Sequence, residues 1–224
     1  MHIGLIGGIG PAATDYYYQN IIRAFEARNL ELELTMVHAR STLLLQNLAE
    51  NKEDEQVAIY LKLANRLKEA GAKCVVVTSI AGHFCINAFK KVSPLPIIDM
   101  VAETNLSIKN SGFSKVGILG TKTVMETRFY GAIESTEVLI PEKSILDDVH
   151  EAYVSMASAG RVDAHQRNIF DKACGALINH QGAEAIVLGG TDLALVYQEG
   201  SCRFPVIDCA AIHCRSVINF ATGD

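Results

Sequence analysis

Features typical of membrane, nucleic-acid-binding and secreted proteins are missing from this chain. It has no apolar run of the roughly 20 residues that a membrane-spanning helix needs. Its net charge is −5 and it has no basic stripe, which argues against a nucleic-acid partner. No basic segment precedes the first apolar run, so we expect no secretory signal peptide and a cytoplasmic protein.

Cysteine pairs at metal-binding spacing are also missing. The six cysteines, at positions 74, 85, 174, 202, 209 and 214, include no CxxC, and several lie in apolar segments. This spacing argues against a zinc site and favours buried free thiols over disulfides. The chain has only 5 prolines and no low-complexity segment, which predicts that its parts are tightly joined.

What the chain does contain is an internal repeat. Segments 3–8 (IGLIGG), 71–79 (GAKCVVVTS) and 96–100 (PIIDM) reappear as 116–121 (VGILGT), 182–190 (GAEAIVLGG) and 205–209 (PVIDC), at offsets of 113, 111 and 109 residues. Because the three segments occur in the same order and at nearly the same spacing in both halves, we predict two similar lobes, residues 1–103 and 104–207. Residues 208–224 are expected to pack back on the first lobe. Loops that follow equivalent strands would then line one shared cleft.

Short apolar runs alternate with helical patterns in both halves. The β-branched run 74–77 is typical of a buried parallel strand, and residues 53–70 form an amphipathic helical pattern that Gly71 ends. We predict strands at 2–6, 32–37, 74–77, 95–98, 116–119, 138–140, 186–188 and 206–207, and helices at 14–28, 53–70, 125–130 and 167–180. The alternation predicts an α/β fold with parallel sheets, whose ligand binds beyond the carboxyl ends of the strands.

A glycine-rich loop follows the first predicted strand. Glycines at 7, 8 and 10 would let backbone N–H groups approach an anion at the start of the next helix. The pattern Gly8-x-Gly10-x-x-Ala13 also fits the dinucleotide fingerprint, but the repeat lacks it and no clear acidic residue ends the second strand. We favour a carboxylate-binding loop over a nucleotide site, with a purely structural turn as the other alternative.

Three segments resemble the aspartate/glutamate racemase family over nearly the whole chain. IGLIGGIGPAAT resembles its first strand and loop, GAEAIVLGGTDL its GAxxIxLGCTEL segment, and FPVIDCAAIH its closing segment. The resemblance implies two flavodoxin-like lobes with parallel sheets related by a pseudo-twofold axis. It also implies a cofactor-independent isomerase, with neither cofactor nor metal, that acts on amino acids.

The family removes and returns the α-proton with two cysteines, one in each lobe, and both are replaced here. The first motif, cysteine-asparagine-threonine-x-histidine, reads Ser79-Ile80-Ala81-Gly82-His83, and the second, glycine-cysteine-threonine-glutamate, reads Gly189-Gly190-Thr191-Asp192. The resemblance places three residues at catalytic positions: Ser79, His83 and Asp192. It implies substrate contacts for Gly8, Arg40, Ser41, Ile80, Ala81, Thr121, Arg161, Gly190 and Thr191.

Alternatives stay open for several of these residues. Ser79 with His83 suggests an activated nucleophile, whereas Ser79 alone could cap the following helix. Cys209 or Cys85 could supply a thiol or simply pack in the core. Arg40 and Arg161 could hold a carboxylate or lie solvated on the surface.

Three functions are therefore weighed. The first is an amino-acid racemase with impaired or altered chemistry, the second a non-catalytic relative that binds a small carboxylate, and the third a lyase or hydrolase that uses one side of the site. The partner expected in every case is an amino acid or another small carboxylate, and a homodimer is left open.

Overall fold

The structure is a computed structural model that describes residues 1–197 and 202–223. The chain divides into two compact units: unit 1 comprises residues 1–100 and 213–224, and unit 2 comprises residues 101–212. Among the described residues, no helix combines the length and the apolar character that crossing a membrane requires.

Unit 1 is built around a parallel four-stranded sheet with the strand order β2-β1-β3-β4. Its elements are β1 (Ile3–Gly7), α1 (Pro11–Ala27), β2 (Leu34–His38), α2 (Ser41–Ala49), α3 (Glu53–Glu69), β3 (Cys74–Val77), a 3-10 turn (Ala81–Cys85), α4 (Ile86–Val92) and β4 (Ile97–Ile98). Every residue of β1 and β3 is buried, as expected for central strands covered on both faces. Residue 100 begins α5 (Met100–Ser111), and the segment 213–222 belongs to the last helix of the chain.

Unit 2 repeats this plan with the strand order β6-β5-β7-β8, again all parallel. Its elements after α5 are β5 (Lys115–Gly120), α6 (Lys122–Glu126), β6 (Glu137–Leu139), α7 (Lys143–Ala159), α8 (Ala164–Asn179), β7 (Ala185–Gly189), a 3-10 turn (Thr191–Leu195), β8 (Val206–Asp208) and the start of α9 (Cys209–Thr222). Helices α7 and α8 pack on this sheet through a core that includes Leu146, Tyr153, Phe170 and Leu188. The prediction of an α/β fold with two parallel sheets is confirmed.

One predicted helix is misplaced. The sequence predicts a helix at 125–130, but α6 ends at Glu126, and Arg128, Phe129 and Tyr130 have φ angles of 51°, 63° and 58°. These left-handed conformations cannot continue a right-handed helix. Phe129 is fully buried, so its packing outweighs the helical pattern at this place.

Candidate functional site

The glycine loop after β1 is held by a threonine of α1. The hydroxyl of Thr14 accepts a hydrogen bond from the Gly8 N–H (2.9 Å) and donates one to the Gly10 carbonyl (3.0 Å). Gly8 has a φ of +91°, and a Cβ atom there would overlap the imidazole of His38. Because the protein itself uses the Gly8 N–H, this group is not a free donor for a ligand carboxylate, which favours the structural alternative for this turn.

Ser79 follows β3 and is 5% exposed. Its carbonyl oxygen, not its hydroxyl, contacts Nδ1 of His83 at 2.7 Å. Nε2 of His83 lies 3.3 Å from the backbone N–H of Met100, which can only donate, so Nε2 accepts and Nδ1 carries the proton. Both ring nitrogens are thus committed to the backbone, and burial lowers the pKa of His83. In this arrangement His83 does not activate the Ser79 hydroxyl.

The other sequence-predicted residues of unit 1 follow β3 and β2. Ile80 and Ala81 are buried where the 3-10 turn begins. Arg40 precedes α2 with its side chain exposed, and Ser41 is the first residue of that helix.

In unit 2, Gly190 follows β7 with an extended backbone, and the ring of Tyr153 fills the space beside it. A Cβ atom built on Gly190 would overlap the ring, lying 2.7 Å from Cζ and 3.0 Å from the hydroxyl oxygen. Tyr153 comes from α7, is 5% exposed and donates a hydrogen bond to Asp192 Oδ2 at 3.3 Å. Burial, and then the neighbouring Asp192 carboxylate, raise the pKa of Tyr153 well above its usual value. The phenol is therefore neutral and is a hydrogen-bond donor, not a base.

Thr191 carries a buried hydroxyl beside the Tyr153 phenol. It is 1% exposed, and its oxygen makes no hydrogen bond within residues 1–197 and 202–223. A buried hydroxyl left unpaired costs about 1–3 kcal/mol. Such a group at the end of β7 is suited to a ligand that brings a hydrogen-bond partner.

The two remaining predicted residues of unit 2, Thr121 and Arg161, lie at the ends of helices. Thr121 accepts a hydrogen bond from the Val124 N–H and so caps α6. Arg161 is exposed in the turn between α7 and α8, directly after Gly160, which ends α7 in the left-handed conformation.

The two substitute thiols that the sequence offers are poorly suited to proton transfer. Burial, and then Glu53, raise the pKa of Cys85 to about 12. Burial, and then Asp208, raise the pKa of Cys209 well above its usual value. Both thiols therefore stay protonated near neutral pH. Among the described residues, no group of three or more His, Cys, Asp or Glu side chains is placed to hold a metal ion.

Sequence reasoning missed Tyr153 entirely. The signal was the glycine at position 190, where the motif of the resembled family has a side chain, since a buried site without a side chain must be filled from elsewhere. That the residues of both units serve one ligand stays a prediction.

The chain is similar to one protein family and to several solved structures. The family model described as Asp/Glu/Hydantoin racemase matches residues 6–217. A candidate Asp/Glu racemase from Yersinia pestis is 26% identical with a TM-score of 0.84, over 99% of this chain and 100% of that one. An aspartate racemase homologue from Pyrococcus horikoshii OT3 is 26% identical with a TM-score of 0.81, over 99% of each chain.

A more distant structure shares the fold. Glutamate racemase from Francisella tularensis, in complex with D-glutamate, is 12% identical with a TM-score of 0.64, over 99% of this chain and 82% of that one. At this identity the likeness concerns the fold alone.

Proposed function

Because this chain belongs to the Asp/Glu/Hydantoin racemase family, we propose that it binds a small amino-acid-type carboxylate and does not racemise it by a two-thiol route. The observation that carries the proposal is the pairing of Gly190 with Tyr153, which leaves no thiol and no space for one after β7. Racemisation needs an acid or base on each face of the Cα atom, and each such group contributes typically 10²–10⁴-fold to the rate.

The group after β3 does not make up for this loss. The Ser79 hydroxyl is a weak acid and a poor base unless a neighbouring base activates it. His83 is the nearest such base in the sequence, and both of its ring nitrogens face backbone groups. Neither Ser79 with His83 nor Gly190 therefore offers a group that is ready to take a proton from carbon near neutral pH.

Two polar groups of unit 2 are placed to hold a ligand. In the described part of the chain, Thr191 has a buried hydroxyl without a hydrogen-bond partner. The neutral Tyr153 phenol beside it gives its proton to Asp192, so its oxygen can accept a hydrogen bond from a ligand ammonium group. Hydrogen bonds to a carboxylate are charge-assisted and stronger than neutral ones. The matching family model is described as Asp/Glu/Hydantoin racemase, which supports an amino acid or a related small molecule as the class of ligand.

We expect purified protein to bind one or more amino acids without exchanging their α-protons. A panel of L- and D-amino acids, led by aspartate and glutamate, is incubated with the protein in D₂O, and the Cα–H signal is followed by NMR. Thermal shift with the same panel measures binding. Binding with no loss of the Cα–H signal supports the proposal. Exchange with inversion would instead identify a racemase, exchange without inversion a one-sided enzyme, and both outcomes contradict it.

Thr191→Val tests the ligand contact. Removing the unpaired hydroxyl is expected to leave the free energy of unfolding unchanged or to raise it by about 1 kcal/mol, because a buried polar group without a partner is lost. Ligand binding is expected to weaken about tenfold or more, since the carboxylate loses a charge-assisted hydrogen bond. Urea unfolding and calorimetric titration measure the two effects.

Thr104→Val is the matched control. Thr104 lies in α5, and its hydroxyl is also buried without a partner in the described part of the chain. The same chemical change there is expected to act on stability in the same direction and to leave ligand binding alone. An equal loss of ligand binding in both variants would show that Thr191 does not contact the ligand.

A further inference from the structure

A groove of unit 1 is lined by basic side chains from three elements. It has a volume of about 220 Å³ and lies between the end of β2 and helices α2 and α3. His38 ends β2, Arg40 precedes α2, and Lys62 and Arg66 lie on α3. No aspartate or glutamate is among the described residues that line it. The chain as a whole has a net charge of −5, so this local excess of positive charge runs against its composition.

The basic side chains of the groove have no ion-pair partner among the described residues. Within residues 1–197 and 202–223, Arg40, Lys62 and Arg66 form no ion pair. Lys62 and Arg66 are four residues apart on one face of α3, and like charges at this spacing destabilise a helix. The helix dipole favours a cation at Arg66, in the last turn of α3, but it does not account for Arg40, which precedes α2. An anion held among these groups would relieve their repulsion.

A buried amide adds a donor to the same groove. Gln56 lines it and is 1% exposed. Its side-chain oxygen accepts a hydrogen bond from Asn47 Nδ2 at 2.9 Å, which leaves its NH₂ group for a ligand. On the other flank of α3, Lys62 and Arg66 also border a shallower groove that contains Glu69, so the two flanks of the helix differ in charge.

We propose that this groove binds a phosphate group. Two guanidinium groups can each offer a planar pair of N–H donors, and a lysine ammonium adds a point charge, which together suit a compact oxyanion with two negative charges. The volume is below that of ordinary drug-sized pockets, so the site fits inorganic phosphate or the phosphoryl end of a small phosphomonoester. The proposal is independent of the proposed amino-acid binding, which rests on Thr191 and Tyr153, although the sequence analysis also offers Arg40 as a carboxylate contact.

Calorimetric titration with inorganic phosphate and with glycerol 3-phosphate tests the site at constant ionic strength set with chloride. The wild-type protein is expected to bind phosphate, and the variant Lys62→Ala with Arg66→Ala to bind it at least tenfold more weakly. The matched control, Lys68→Ala with Lys73→Ala, removes the same charge from exposed positions outside the groove and is expected to bind within about twofold of wild type.

The outcomes separate the possibilities. Tighter binding of glycerol 3-phosphate assigns the site to phosphorylated metabolites, and equal or weaker binding assigns it to free phosphate. No binding by the wild type, or an equal loss in both double variants, overturns the proposal. Amino-acid binding measured on the same samples is expected to be unchanged by Lys62→Ala with Arg66→Ala, so failure here is distinguishable from failure of the proposed function.

Discussion

Gly190→Cys is expected to lower the free energy of unfolding by about 1–3 kcal/mol, because the new side chain needs space that the Tyr153 ring fills. Tyr153 is 5% exposed, and its hydroxyl donates a hydrogen bond to Asp192, so the ring cannot move aside without leaving the core of unit 2. Urea unfolding at pH 7.5 measures the loss. Gly175→Cys in α8 is the matched control, because a Cβ atom there would meet nothing closer than 3.9 Å; it is expected to be neutral or stabilising.

A double-mutant cycle with Tyr153→Ala tests whether the two residues share one space. Tyr153→Ala alone is expected to cost about 3–5 kcal/mol, as for other large aromatic truncations in a core. With Gly190→Cys added, the total is expected to fall short of the sum by about 0.5–3 kcal/mol, because the thiol enters the cavity. Strict additivity would show that the sites are independent. Restoring both thiols, Ser79→Cys with Gly190→Cys, therefore requires Tyr153→Ala as well before turnover can rise.

Stability is expected to fall steeply as pH drops below about 6.5, because two histidines of unit 1 are buried in neutral form. His213 is fully buried, with Nδ1 2.7 Å from the Tyr17 hydroxyl and Nε2 2.9 Å from the Ile98 carbonyl. Burial, and then the neighbouring His83, lower the pKa of His213 to about 3. The pKa of His83 is lowered in the same direction, also by burial first.

Acid destabilises the folded protein because the pKa of each of these histidines is lower in the folded than in the unfolded chain. The unfolded chain binds a proton at each histidine near pH 6.5, whereas folded His213 does so only near pH 3. The contribution of the buried neutral histidines to the free energy of unfolding is therefore fully present above pH 6.5. It is lost as the pH falls between these two values, at up to about 1.4 kcal/mol per pH unit for each histidine.

His213→Gln separates this effect from general acid denaturation. The variant is expected to be about 1–3 kcal/mol less stable at pH 7.5, because Tyr17 and Ile98 lose a partner. Between pH 6 and 4.5, however, its stability should fall less steeply than that of the wild type. His180→Gln, at an exposed position at the end of α8, is the control and should keep the wild-type slope. Parallel slopes in all three proteins would contradict the assignment to His213.

The architecture was readable from the sequence because it rests on repeated patterns. The apolar runs at 74–77 and 186–188 and their matching offsets predict two similar sheets, and strands β3 and β7 lie there with every residue buried. The turn at 128–130 was not readable, because the burial of Phe129 is a tertiary effect that overrides the local helical pattern.

The chemistry of the site was only partly readable. The resemblance predicts that both catalytic cysteines are replaced, but the residue that fills the space beside Gly190 comes from α7, which is distant in the sequence. The pairing of Ser79 with His83 looked plausible from residue types alone. The decisive contact, however, involves the Ser79 carbonyl, and backbone groups carry no signal in a sequence pattern.

The division of the chain has a consequence for synthesis. Unit 1 needs residues 213–224 as well as 1–100, whereas unit 2 is one continuous stretch. The Tyr17 hydroxyl and the Ile98 carbonyl of unit 1 can therefore gain the His213 ring only after all of unit 2 has been synthesised. The unit whose synthesis begins first thus depends on a helix that is made after the other unit.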